Sequence, residues 1–93
     1  MRIGYLEIYN KLEKESKKAL KRFLQKHKEY TNAITVDYCL TNDANFLIAV
    51  SDINYITDIA GEIMGDEIQY KYSLSYGEKI GDFIMRIVVT AYD

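Results

Sequence analysis

From Ile68 to Tyr76 the chain alternates without a break, with Ile68, Tyr70, Tyr72, Leu74 and Tyr76 on one parity and Gln69, Lys71, Ser73 and Ser75 on the other. A period of two belongs to a strand with one dry and one wet face. Gly77 and Glu78 then offer turn chemistry, and a β-rich run continues to Tyr92. A two-residue loop at that point would set Tyr72 opposite Phe83, Tyr70 opposite Met85 and Ile68 opposite Ile87. Sequence therefore predicts an antiparallel hairpin over 66–92.

Upstream, Tyr5, Ile8, Tyr9, Leu12, Ala19, Leu20, Phe23 and Leu24 recur at three- and four-residue steps, the spacing of one amphipathic helix from Tyr5 to Glu29. A competing reading starts the helix at Asn10, where Asn10 and Glu13 have capping-box spacing, and makes residues 2–9 a strand. The long helix is favoured because Ile3, Tyr5, Leu6, Ile8 and Tyr9 do not alternate cleanly. Ile34, Val36, Tyr38 and Leu40 alternate with Thr35, Asp37, Cys39 and Thr41 as a second amphipathic strand. Asn42 to Asn45 read as a turn into a third strand over 46–51. Ser51 or Asp52 then caps a helix with the stripe Ile53, Ile56, Ile59, Ala60, Ile63 and Met64, and Gly65 is its expected C′ residue at positive φ.

These elements assemble most simply as a single α+β domain over 1–93, a two-layer sandwich with two helices on one face of a four-stranded antiparallel sheet in the order αββαββ. With residues 2–9 as a strand, the alternative is a ferredoxin-like βαββαβ layout plus an added strand. Both place Tyr9, Leu12, Phe23, Val36, Tyr38, Ile48, Val50, Ile56, Ile63, Tyr70, Tyr72, Phe83, Met85, Ile87 and Val89 in the core.

Ninety-three residues suffice for one core. No apolar run reaches the 18 or so residues that a membrane span needs, and the opening residues are too polar for a signal region, so a cytoplasmic location without membrane attachment is expected. The one cysteine, Cys39, reads as a half-buried hydrophobe. The net charge of −2 hides an asymmetry. Residues 11–28 hold eight Lys and Arg against two Glu, whereas Asp52, Asp58, Glu62, Asp66 and Glu67 face no cation between 52 and 67. The first segment suits a polyanion, and the two helices suit each other.

Enzyme chemistry finds little support, and no cofactor or metal is expected. His27 is the sole histidine, which reads as a solvated or capping side chain, and no glycine pair stands in the strand-to-helix context of a phosphate loop. The expected function is a small non-enzymatic interaction module, of the plain kind found among phage or mobile-element inhibitors of host nucleic-acid enzymes. Its partner is another protein or a second copy of itself. The expected contact residues are Leu47, Ile84, Arg86 and Val88 on the uncovered sheet face, with Asp58, Glu62, Asp66 and Glu67 as an acidic edge. The alternative is nucleic-acid binding through Lys14, Lys18, Lys21 and Arg22 of the basic helix 11–28. Lysine meets phosphate as a point charge and reads bases poorly.

Overall fold

A computed structural model describes residues 1–9, 12–41, 50–77 and 85–93. The elements run β1 (Arg2–Tyr9), α1 (Lys14–His27), β2 (Ala33–Thr41), α2 (Val50–Met64), β3 (Gln69–Gly77) and β4 (Met85–Tyr92). Four strands form one sheet in the order β1-β4-β2-β3, with both helices packed on one face. The two-layer α+β class is as expected. Its wiring is not, because the sheet is mixed and the element order is βαβαββ.

Among the described residues, β3 and β4 do not pair as the predicted hairpin requires. Among these residues β3 pairs only with β2 and runs parallel to it, with Val36 beside Tyr72 and Tyr38 beside Leu74. β4 instead lies between β1 and β2, antiparallel to both. Composition accounts for the exchange. Ile87, Val88, Val89, Thr90 and Ala91 are uncharged and mostly β-branched, which suits a strand flanked on both edges. Gln69, Lys71, Ser73 and Ser75 leave β3 polar on one face, which suits a sheet edge. The segment 46–49 lies outside the described residues. Val50 and Ser51, assigned to a strand from sequence, belong to α2, and both edges of β2 are already occupied, by β3 and β4.

Residues 2–9 are a strand, so the long helix is corrected in favour of its alternative. Leu6 and Ile8 point to the core layer, while Tyr5, Glu7 and Tyr9 are exposed on the other side. A register irregularity between Arg2 and Gly4 breaks the alternation, which is why the pattern resembled a helix. The N-cap of α1 is Glu13, three residues beyond Asn10: Ser16 Oγ accepts the Glu13 backbone N–H at 2.7 Å. Thr31 Oγ1 donates to the His27 carbonyl at 2.6 Å and caps the helix C-terminus. Gly65 closes α2 at φ +85°, with its N–H donating to Gly61 O at 2.9 Å, as the stripe predicts.

One buried cluster joins Leu20, Phe23 and Leu24 of α1 and Ile56, Ile59 and Ala60 of α2 to Ile8, Ile34, Val36, Tyr38, Leu40, Ile87, Val89 and Ala91 of the sheet. Of the expected core, Leu12, Phe23, Val36, Tyr38, Ile56, Ile87 and Val89 are buried, and Ile63 and Tyr70 pack against the cluster. Tyr9 and Tyr72 are exposed, the first because β1 turns it to the open face, the second because β3 is an edge strand. Ile48 and Phe83 fall outside the described residues.

Candidate interaction surface

With both helices on one face, strand parity decides what the other face presents. Register aligns three rows across β1, β4, β2 and β3: Tyr5, Thr90, Thr35 and Lys71; Glu7, Val88, Asp37 and Ser73; Tyr9, Arg86, Cys39 and Ser75. Aromatic bulk gathers on the β1 side, where Tyr5 is 53% and Tyr9 39% exposed. The Arg2 guanidinium lies 5.1 Å from the Tyr5 ring centroid, within cation–π range. On the β3 side the face is small and polar.

Polar groups on this face are largely tied to one another. Tyr9 donates its phenol hydrogen to Glu7 at 2.6 Å, and Ser73 donates to Asp37 across the parallel pair. Ser75 donates to Cys39 Sγ at 3.3 Å. The hydrogen bond to the Glu7 carboxylate holds the Tyr9 phenol above its ordinary pKa, and the positive charge of Arg86 opposes that shift. Arg86 itself is the exception to this pairing. Its Nε is shielded from water without a hydrogen-bond acceptor, and it forms no ion pair among the described residues. A shielded donor left without an acceptor costs free energy.

Arg86 and Val88 thus lie together on the open face, as expected from sequence, while Leu47 and Ile84 fall outside the described residues. Asp58 and Glu62 are exposed on α2, and Asp66 and Glu67 on the connection to β3. These belong to the helix layer and do not join Arg86 and Val88. Lys14, Lys18, Lys21 and Arg22 are exposed on the side of α1 opposite Leu20, Phe23 and Leu24. The two helices are neighbours, as their opposite charges suggested, yet no ion pair joins them among the described residues. Lys17 instead places its ammonium 4.7 Å from the Tyr55 ring centroid. Sequence reading missed Tyr5, Glu7 and Tyr9 as members of the open face. The alternation of Leu6 and Ile8 with Tyr5, Glu7 and Tyr9 carried the signal.

No group of three or more His, Cys, Asp or Glu is placed to hold a metal among the described residues. No helix among them is long and apolar enough to cross a membrane.

No family model matches the chain, and no curated protein matches it. Solved structures do share its fold. A GTPγS-form protofilament of TubZ from Bacillus thuringiensis serovar israelensis superposes with a TM-score of 0.59 at 18% identity, over 95% of this chain and 24% of that one. The GDP-form protofilaments of the same protein give 0.52 at 15% identity, over 94% and 25%. This chain therefore spans about a quarter of the length of those chains, and the likeness is one of fold.

Proposed function

We propose that this domain is a protein-interaction module with no catalytic step of its own, and that it engages a partner protein through the open sheet face. One observation carries the reading: Arg86, beside exposed Tyr9 and next-but-one to Val88 on the open face, forms no ion pair among the described residues. A partner that sets a carboxylate against this guanidinium and an apolar side chain against Val88 and Tyr5 supplies what the isolated face lacks. Buried arginine and tyrosine are common anchors of such interfaces. An inhibitor of a nucleic-acid enzyme would instead use the helix layer, where the acidic residues Asp58, Glu62, Asp66 and Glu67 could stand where a groove expects phosphate. The solved structures of similar fold are protofilaments, so a second copy belongs among the partners tested.

The test is affinity capture from the source cell with the parent protein and with Arg86→Ala and Val88→Lys. Loss of the same captured protein from both variants, with folding unchanged, supports the open face. Capture that survives both substitutions moves the functional surface elsewhere.

A second reading rests on Lys14, Lys18, Lys21 and Arg22, whose exposed side chains share one face of α1; among the described residues only Lys18 is in reach of a carboxylate, Glu15 at 3.9 Å. Nucleic-acid binding through that face would weaken steeply with salt. Random-sequence DNA or RNA titrated at low and moderate ionic strength separates the two readings.

A further inference from the structure

The outer edge of β3 is unlike the outer edge of β1. β1 carries Arg2 and Glu7 and a register irregularity, all of which discourage another strand from pairing with it. β3 runs nine residues with one charge, Lys71, and no proline, and no described strand covers its outer side. On its helix-side face, Tyr72 is 38% and Leu74 54% exposed, because α2 covers the sheet only as far as Tyr70. Gln69 donates its N–H inward to Asn32 O at 3.0 Å. By the period of two, the backbone groups of Tyr70, Tyr72 and Leu74 point outward.

We infer that β3 pairs with β3 of a second copy, antiparallel about a two-fold axis through Ser73, to make one continuous eight-stranded sheet. This register sets Tyr72 of each copy opposite Leu74 of the other, so the two exposed apolar pairs cover each other. Lys71 then faces Ser75 rather than its own copy, and no like charges meet. The outward backbone groups of Tyr72 and Leu74 fall in hydrogen-bonded pairs, and the two Ser73 residues form the closer, non-hydrogen-bonded pair. The contact is isologous and closes at two copies. It uses none of the open-face residues, so it stands apart from the partner-binding reading.

Sedimentation over a concentration series tests the pairing in the full chain. The parent should pass from monomer to dimer, and Leu74→Lys should weaken that association at least about tenfold with circular dichroism and melting unchanged. Tyr72→Lys serves the same purpose should Leu74→Lys fail to fold. Val88→Lys, on the open face, should leave the dimer intact. In a Cys39→Ser background, Ser73→Cys should cross-link on mild oxidation and Lys71→Cys should not, since only the former lies at the axis. A parent that stays monomeric, a dimer indifferent to Leu74→Lys, or a Ser73→Cys chain that does not cross-link overturns the inference.

Discussion

The imidazole of His27 lies over Gly4 so closely that a β-carbon there would sit 2.6 Å from Nε2. His27 has little freedom to retreat: its Nδ1–H donates to Phe23 O at 2.9 Å, and its ring packs on Phe23 at 4.6 Å. Of the two expected roles, solvated or capping, the sole histidine takes the second: it is half-buried, bonds a carbonyl near the end of α1 and fastens that end to β1. Gly4→Ala should therefore cost about 1–3 kcal/mol by overpacking. His27→Ala in the same chain should recover part of that loss, and a double-mutant cycle in denaturant measures the coupling. Additive losses would mean the two residues do not meet.

Gly61 within α2 and Gly65 just past its end should respond in opposite directions to alanine. A β-carbon on Gly61 meets nothing within 4 Å, so Gly61→Ala should stabilise by up to about 1 kcal/mol through helix propensity alone. Gly65 sits at φ +85°, where a side chain is strained, and Gly65→Ala should destabilise by about 1 kcal/mol. Thermal melts of the two variants on either side of the parent check the pair.

Much of this architecture was legible, and the errors share one cause. Alternation located β2 and β3 to within a residue, and the stripe of α2 ended correctly at Gly65, because periodicity is a local property. Pairing is not local. Tyr70, Tyr72 and Leu74 pattern equally well against β4 in a hairpin or against β2 in a parallel pair, and what decides is the α2 crossover between β2 and β3. The open face was legible at Arg86 and Val88 from parity alone. Tyr5, Glu7 and Tyr9 were lost to it when the irregularity near Gly4 blurred the period of β1.

Tyr70 joins β3 to the end of α2. Its hydroxyl donates its one hydrogen to Gly65 O at 2.7 Å, with Ala60 O at 3.2 Å as the longer, competing acceptor. Tyr70→Phe should cost about 1 kcal/mol near neutral pH. Burial, and secondarily the nearby Tyr72 and Asp66, raise the phenol pKa above 10.0. The folded state then keeps a proton that the unfolded chain gives up. This contribution is fully present below the unfolded value and is lost as pH rises through the folded one. Stability of the parent should accordingly fall above about pH 10, and Tyr70→Phe should flatten that decline. An identical alkaline slope in both proteins would contradict the assignment.

Edge position sets the cost of losing Tyr72. Ile87 is fully buried in the central strand, and Ile87→Ala should cost about 2–5 kcal/mol. Tyr72→Ala removes a side chain that is 38% exposed on an edge strand and should cost less, about 1 kcal/mol. Equal losses in urea titration would place Tyr72 inside the core, as the hairpin arrangement required.

Ile87 and Val88 are consecutive in β4 yet face opposite layers, so one substitution made at each reads out the layering directly. Ile87 is enclosed by the cluster that both helices share, with Tyr38 and Ile8 as its cross-strand neighbours. A lysine there must carry its charge into the core or withdraw it by unfolding the sheet, and Ile87→Lys should abolish the cooperative transition. Val88 stands between Glu7 and Asp37 on the uncovered face. Val88→Lys places a cation between two carboxylates, and stability should stay within about 1 kcal/mol of the parent. Its helix and strand content should be unchanged by circular dichroism. A Val88→Lys chain that unfolds as readily as Ile87→Lys would mean that a further layer covers the open face, and the surface proposed for the partner would then be part of the core.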